Sequence, residues 1–259
     1  MKILTFITVL ALVSGTAGAQ MITEYVDYKQ GDAELHGYMA YDKSFKEKRP
    51  GIIVVHEWWG LGEHPKKSAE RLASLGYPAF ALDMYGKGKL TEDPSQAGKW
   101  SGNIKSNPEL AKERFLAAME VLKSHPSVDE SKIGAIGYCF GGTVVLEMAR
   151  MGVDLDAVVS FHGGLVSAVP EEKKNIKAAI LVNHGADDPM VSEEEIKEFW
   201  KEMKDHDVDW QMNFYGNAVH SFTNPEADSL GMTGVGYNEK AAHRSWEAMK
   251  TFFKHIFGK

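Results

Sequence analysis

The one cysteine of the 259-residue chain, Cys139, lies in the pattern G-x-C-x-G between Gly137 and Gly141. A strand is predicted over 132–137 and a helix over 142–151, so the thiol stands at a strand-to-helix turn. A turn this sharp needs small flanking residues and lifts the middle side chain above the carboxyl edge of the sheet. The partial positive charge at the start of the helix favours a thiolate. The pattern therefore predicts a nucleophilic cysteine, with an inert buried thiol or a cysteine that forms an intermolecular disulfide as the alternatives.

Two later segments supply the groups that a nucleophilic thiol needs. A thiol with an ordinary pKa of about 8.5 requires a base at neutral pH, and the base requires an acid to orient it. Asp187 and Asp188 follow a strand predicted over 178–183, and His220 follows a strand predicted over 208–215. Both lie past the carboxyl ends of strands, the edge where open α/β sheets place their sites. An acidic turn and a solvated loop histidine are the alternatives, and either aspartate fits the role.

A third segment, HEWWGLGEH at residues 56–64, follows another apolar strand. It is not the zinc signature H-E-x-x-H, because Gly60 stands where the second histidine is required and the segment follows a strand instead of lying on a helix. Glu57 is unusual beside two tryptophans, which pack a core as readily as they line a ligand site.

Strands alternate with helices along the chain. Strands are predicted over residues 24–28, 34–41, 51–56, 78–82, 132–137, 157–161, 178–183 and 208–215. The first two form a hairpin around Gly31 and Asp32. Helices are predicted over 66–75, 108–124, 142–151, 192–204 and 239–257, with an irregular stretch over 85–107. Continuous apolar strands that alternate with helices indicate a mostly parallel sheet of about eight strands with helices on both faces. No linker or repeat interrupts the pattern, which predicts a single domain over residues 20–259.

The composition is that of an ordinary globular protein. Hydrophobic residues make up 44% of the chain and charged residues 25%, which is enough apolar material for a sizeable core. The formal net charge is −7, and lysines and arginines are scattered. The absence of a basic stripe argues against nucleic-acid binding, and the absence of a basic amphipathic helix argues against binding at a membrane surface.

The first 19 residues differ from the rest. A lysine follows Met1, an apolar run covers residues 3–13, and small residues end in Ala-Gly-Ala. This pattern predicts a signal peptide over residues 1–19, a mature chain that begins at Gln20, and a periplasmic or secreted protein without stable membrane insertion. A buried N-terminal helix is the alternative. Cys139 has no partner cysteine in its own chain, which is unusual for an oxidising compartment.

In this order, the segments HEWWG, GYCFGG, GADDPMV and HSF resemble the motifs of the dienelactone hydrolase family of α/β-hydrolases. The resemblance runs over essentially all of the mature chain, and a cysteine in this turn together with a glutamate after the third strand is uncommon elsewhere. It implies the α/β-hydrolase fold and hydrolysis of a small ester or lactone through a Cys-His-Asp triad and a thioester. No metal or cofactor is required.

The resemblance also implies roles for individual residues. Cys139 corresponds to the nucleophile and His220 to the base. Asp188 corresponds to the acid, because the family's aspartate precedes an x-x-V that reads PMV here. Glu57 matches the family's glutamate, which interacts with the thiol and is held to take its proton when substrate binds.

Further residues are assigned to the oxyanion hole and to the pocket. The backbone N–H groups of Trp58 and Phe140 correspond to the oxyanion hole. An aromatic substrate pocket is expected from Trp58, Trp59, Tyr85, Phe140, Phe161 and Phe222, with Met190. His162, past another strand end, either lines this pocket or caps the structure.

The sequence departs from the family pattern at its charged groups. Members that hydrolyse dienelactone hold the substrate carboxylate with arginines, one of them at the position of Asn224. Lys87 and Lys89 are possible replacements but fit a solvated loop equally well. The substrate therefore stays open. A carboxylesterase or thioesterase with another acyl substrate is one alternative. A non-catalytic secreted protein that binds a ligand or senses redox state is another, although a complete triad argues against it.

Overall fold

The computed structural model describes residues 20–258 of the chain. The predicted signal peptide, residues 1–19, lies outside the described residues. Contacts divide the chain into two compact units between Ile133 and Gly134. The single domain predicted over residues 20–259 stays a prediction.

The first unit opens with an antiparallel hairpin. Strands β1 (Met21–Gln30) and β2 (Ala33–Asp42) pair along their whole length. The two-residue turn between them has Gly31 at φ 55°, a left-handed conformation that glycine adopts without strain. This confirms the predicted hairpin. On its other side β2 pairs antiparallel with β4 (Ala79–Leu82), which pairs parallel with β3 (Arg49–Val55).

Two helices of the first unit agree with the sequence patterns. Helix α1 covers Glu63–Ser74 and buries its apolar face, including Leu72. Helix α3 covers Pro108–Ser124 and begins after Asn107, whose side chain accepts a hydrogen bond from the Leu110 N–H at 3.3 Å. An asparagine cap followed by proline at the first helical position is a favourable helix start.

The stretch predicted as irregular over 85–107 contains a further helix, so that prediction was wrong. Helix α2 covers Pro94–Lys105. Asp93 caps it by accepting a hydrogen bond from the Ser95 N–H at 2.9 Å, and Pro94 occupies the first turn. The helix carries glycines at positions 98 and 102, which lower helix propensity by about 1 kcal/mol each relative to alanine. This weak propensity hid the helix.

The second unit consists of parallel strands joined by helices. Strand β5 (Val128–Tyr138) runs across the boundary between the units, and β5, β6, β7 and β8 pair parallel in that order. Its elements after β5 are α4 (Phe140–Arg150), β6 (Ala157–Phe161), β7 (Ala179–Gly185), α5 (Glu193–Asp205), β8 (Trp210–Tyr215) and α6 (Glu239–Phe257).

The eight strands form one sheet in the order β1-β2-β4-β3-β5-β6-β7-β8. The pairs β1–β2 and β2–β4 are antiparallel, whereas β3–β4, β5–β6, β6–β7 and β7–β8 are parallel. The structure therefore confirms the mostly parallel sheet of about eight strands, with six helices in the described part of the chain. Strands β4, β6 and β7 are buried at every position, as their continuous apolar sequences predict. Among residues 20–258, no helix is both long and apolar enough to cross a membrane.

A buried arginine ties two helices and a loop of the second unit together. Arg150, at the end of α4, is 1% exposed. Its guanidinium donates to Glu147 at 2.7 Å, to Glu202 on α5 at 2.6 Å and to the Leu165 carbonyl at 2.7 Å. Lys174 adds a second cation 2.6 Å from Glu202. These bonds compensate the buried charges and anchor the loop that follows β6.

Candidate active site

Cys139 lies in a strained turn between β5 and α4. Its φ is 53° and its ψ is −115°, a conformation that non-glycine residues keep only where the surroundings determine it. A Cβ on Gly137 would lie 2.0 Å from the Gly141 carbonyl oxygen. The close approach predicted at these two glycines is therefore confirmed. Cys139 is a partly exposed free cysteine, as a nucleophile must be.

His220 and Asp188 form a buried pair in the same unit. The His220 Nδ1 lies 2.8 Å from the Asp188 Oδ2, and the two residues are 6% and 5% exposed. The other carboxylate oxygen, Oδ1, accepts a hydrogen bond from the Met190 N–H at 2.9 Å. Both oxygens of the aspartate are thus engaged, which fixes the orientation of the imidazole.

The charge state of His220 is set by its neighbours. Burial lowers the pKa of this imidazole, but the negative charge of Cys139 and the hydrogen bond to Asp188 outweigh burial and raise the pKa to about 10. The Nε2 is buried, and its interaction with the Cys139 side chain is among those that raise this pKa. An imidazole that keeps its proton at neutral pH can balance a thiolate and later give the proton to a leaving group.

The two adjacent aspartates differ in burial. Asp187 is exposed, and its backbone N–H donates to the Ala218 carbonyl at 3.0 Å. The Asp188 N–H donates to the Gly185 carbonyl at 3.1 Å, which closes a tight turn after β7. The turn directs Asp188 inward to His220 and Asp187 outward to solvent.

His162 lies directly after β6 and is fully buried. Its Nδ1 accepts a hydrogen bond from the backbone N–H of Cys139 at 3.1 Å, and its Nε2 lies 2.8 Å from the Thr223 Oγ1. The ring stands edge to face with the His220 ring at 5.3 Å. Thr223 was not among the expected site residues, although its place directly after HSF was a signal for it.

Glu57 is buried at the end of β3 in the first unit, 5% exposed. Its Oε2 lies 3.5 Å from the Nδ1 of His64, an ion-pair distance instead of a hydrogen bond. His56 was not singled out from the sequence, although it directly precedes Glu57. Its Nδ1 contacts the Glu57 carbonyl, and its Nε2 accepts from the Met84 N–H at 3.2 Å. Burial lowers the pKa of His56, so a neutral ring holds the backbone at Glu57.

The first unit also contains an aromatic group beside Glu57. The Tyr85 hydroxyl donates to the Trp58 carbonyl at 3.1 Å, and the Trp58 and Trp59 rings lie 4.7 Å apart. Gly60 has φ 103°, and a Cβ there would lie 2.4 Å from the Lys89 carbonyl. The turn after β3 therefore packs tightly against the loop after β4. Trp58 and Trp59 stay partly exposed, whereas Tyr85 is 3% exposed.

The expected pocket residues of the second unit differ in exposure. Met190 is 48% exposed. Phe161 and Phe222 are buried, and Phe161 stacks on Tyr138 with ring centroids 4.9 Å apart. Phe140, the first residue of α4, is also buried. The pocket assigned to these residues stays a prediction.

The residues considered for binding a substrate carboxylate differ in their surroundings. Asn224 is buried, and its side-chain oxygen accepts from the Glu226 N–H at 3.0 Å. The ammonium group of Lys87 lies 2.7 Å from the Asp27 carboxylate, and Lys89 is exposed. Within the described chain, no group of three or more histidine, cysteine, aspartate and glutamate side chains is arranged to hold a metal ion.

Comparison with known proteins identifies the family. Residues 35–257 match the model of the dienelactone hydrolase family. The chain is 31% identical over 237 residues to protein usf of Aquifex pyrophilus, and this alignment covers 89% of the chain and 97% of that relative. The crystal structure of a dienelactone hydrolase-like promiscuous phosphotriesterase from metagenomic libraries is 40% identical, with a TM-score of 0.88 over 92% of this chain and 99% of that one. A dienelactone hydrolase from Anabaena variabilis shares the fold at 18% identity, with a TM-score of 0.63 over 93% of this chain and 99% of that one. The chain therefore belongs to the dienelactone hydrolase family of α/β-hydrolases, enzymes that act on lactone and ester bonds.

Proposed function

We propose that the chain hydrolyses an ester or lactone by acyl transfer to Cys139, with His220 as proton carrier and Asp188 as the group that orients it. The observation that carries this proposal is the buried 2.8 Å contact between His220 Nδ1 and Asp188 Oδ2, on an imidazole that also interacts with the Cys139 side chain. A nucleophile, a base and an orienting acid are the three parts of an activated-nucleophile site.

The first half-reaction forms a thioester. The Cys139 thiolate attacks the acyl carbon, and the carbonyl electrons move onto oxygen. The N–H of Phe140, at the start of α4, supports the proposed oxyanion hole, and the resemblance adds the N–H of Trp58. The bond to the leaving oxygen then breaks, and protonated His220 gives its proton to that oxygen.

The second half-reaction releases the acid. His220, now neutral, takes a proton from water, whose oxygen attacks the thioester carbon. The carbon–sulfur bond breaks, and the sulfur leaves as thiolate. The products are the carboxylic acid and the pair of thiolate and protonated imidazole with which the first half-reaction began, so the cycle needs no further reactant.

We propose that the substrate carries no carboxylate group that the enzyme has to recognise. Asn224 holds a turn, and Lys87 is paired with Asp27, so neither group supports recognition of an anion. Neutral esters and lactones fit this charge distribution better than an anionic dienelactone.

A panel of p-nitrophenyl esters and neutral lactones tests the function. We expect the purified chain to hydrolyse at least one of them, and iodoacetamide to abolish this activity. Because Cys139 is the only cysteine, mass spectrometry can match the loss of activity to one label per chain. Hydrolysis that persists in fully labelled protein would place the nucleophile elsewhere. Failure with every compound would favour the binding or redox-sensing alternative.

Phosphotriesters are a second substrate class. The relative of known structure that is 40% identical is described as a promiscuous phosphotriesterase. For this chain we propose that the Cys139 thiolate attacks phosphorus and displaces a phenolate, which takes the proton of His220. Water activated by neutral His220 then breaks the sulfur–phosphorus bond and releases the phosphodiester and the thiolate. Diethyl p-nitrophenyl phosphate in the same panel should release p-nitrophenol only from unlabelled protein, and equal release from labelled protein would contradict the proposal.

We further propose that Glu57 acts on the Cys139 thiol as the family resemblance implies. A nearby carboxylate opposes the thiolate, whereas protonated His220 favours it. Glu57→Gln should therefore speed iodoacetamide labelling at neutral pH and lower ester turnover, because the repelling charge and the proton acceptor are both lost.

Labelling rates measured against pH check the effect of Glu57. Glu63→Gln is the matched control, because this glutamate lies in the same segment but is exposed. Superimposable labelling profiles for Glu57→Gln and the parent protein, with undiminished turnover, would leave Glu57 a structural residue.

Export is the remaining proposal, and it rests on the charged and apolar pattern of residues 1–19. Protein isolated from its native host should begin at or close to Gln20, because a signal peptidase removes such a segment. N-terminal sequencing of the folded protein measures this directly. Intact Met1 on most of the protein, recovered from the cytoplasm, would remove the proposal.

A further inference from the structure

His162 has a strained backbone conformation and a buried side chain. Its φ is 42°, in the left-handed region where glycine is favoured. Two glycines follow it directly in the sequence, yet this position carries a fully buried imidazole. A strained non-glycine conformation persists where the surrounding structure holds it in place, so the contacts of this ring must stabilise the strained backbone.

The ring joins two segments that carry catalytic groups. Its Nδ1 accepts from the Cys139 N–H at 3.1 Å, so in the neutral ring the proton sits on Nε2. That proton can be donated to the Thr223 Oγ1, 2.8 Å away. Thr223 lies three residues after His220. One neutral imidazole thus bonds to the backbone of the nucleophile and to the loop of the base.

Packing reinforces this link. The His162 ring stands edge to face with the His220 ring at 5.3 Å and with the Phe222 ring at 5.2 Å. A buried neutral imidazole needs a donor for its bare nitrogen and an acceptor for its N–H, and here the first belongs to the backbone of Cys139 and the second to the loop after His220. The Cys139 N–H also donates to the Phe161 carbonyl at 3.0 Å, so it does not need the imidazole, and the placement of this ring between the two segments is what a packing role leaves unexplained.

We infer that His162 is a positioning residue that sets the distance and angle between the Cys139 thiol and the His220 imidazole. His220 Nε2 is buried and interacts with the Cys139 side chain without a hydrogen bond of regular geometry. Its alignment with the thiol therefore depends on the segments that carry the two side chains. This inference rests on the proposed thiol chemistry.

Two substitutions and their combination test the inference. His162→Asn keeps an acceptor for the Cys139 N–H, tolerates positive φ and loses the bond to Thr223. Thr223→Val removes the same bond from the other side and keeps the shape of the side chain. We expect kcat to fall by about 10- to 100-fold in His162→Asn and by about 3- to 10-fold in Thr223→Val, while KM changes by less than about threefold. The double variant should be no slower than His162→Asn, because both changes break one link.

A measurement without substrate separates this inference from the proposed function. Misplaced His220 stabilises the thiolate less well, so iodoacetamide labelling of Cys139 at neutral pH should slow in His162→Asn. Multiplying effects in the double variant, or a lower melting temperature with unchanged kcat and labelling rate, would overturn the inference. Absence of thiol-dependent hydrolysis in the parent protein would instead overturn the proposed function, and the labelling rates would still test the role of His162.

Discussion

Replacing Cys139 or His220 with alanine should lower kcat/KM by about 10³-fold or more, as loss of a nucleophile or a base does in other triads. In the proposed mechanism, no thioester forms without the sulfur. Without the imidazole nothing delivers a proton to the leaving oxygen or removes one from water. Steady-state rates with the best ester of the panel measure both losses. The double variant should be hardly worse than either single one, because the two residues act as a unit.

The control for this experiment is His243→Ala. His243 is an exposed histidine on α6 in the same unit, so its loss should leave kcat/KM and the melting temperature unchanged. Activity of Cys139→Ala within about tenfold of the parent protein, after removal of contaminating esterases, would refute the triad. A site that has lost its nucleophile is expected to hydrolyse esters far more slowly than that.

Asp188→Asn should lower kcat by about 10²- to 10³-fold. The asparagine amide cannot support the charged imidazole, and it favours the wrong tautomer, which costs about 10⁴-fold in a serine protease. A smaller loss is expected here because a thiol is intrinsically a better nucleophile than a hydroxyl. The same change should lower the pKa of His220, since the hydrogen bond to Asp188 is one of the interactions that raise it.

The neighbouring aspartate is the matched control. Asp187→Asn makes the same chemical change one residue away, on an exposed side chain, and should alter kcat by less than about twofold, as surface substitutions generally have small effects. The kcat of each variant, measured over a range of pH, is compared with that of the parent protein. A crippled Asp187→Asn with a mild Asp188→Asn would reverse the assignment.

Most of the fold could be predicted because its signals are local. Each continuous apolar strand had to be buried on both faces, and all eight predicted strands are present. The helix predicted over 192–204 begins with a local signal of this kind, a capping box in which Ser192 and Glu195 exchange two hydrogen bonds. Helix α2 was missed because its signal is a single cap at Asp93, set against two glycines and several polar residues.

The site was predictable where one turn determines the geometry. Gly137 and Gly141 indicate the strained turn, because a side chain at Gly137 would clash with the backbone of Gly141. Asp187 and Asp188 are adjacent residues of the same type, so the sequence pattern alone does not distinguish them. Their opposite burial arises from the turn that follows β7. The link through His162 was not predictable, because its partners lie 23 and 61 residues away in the sequence and meet only in the folded chain.

The buried cluster around Arg150 has a consequence for acid tolerance. Burial raises the pKa of Glu202, but its hydrogen bonds and its attraction to Arg150 and Lys174 outweigh burial and hold the pKa below its ordinary value of 4.5. The folded chain therefore binds this proton less readily than the unfolded chain does. The stability that the cluster contributes is fully present above about pH 4.5 and is lost as the pH falls through the lower folded pKa. Protonation of Glu202 would leave the Arg150 guanidinium short of countercharge in a site that is 1% exposed, so acid unfolding is expected to begin where α4, α5 and the loop after β6 meet.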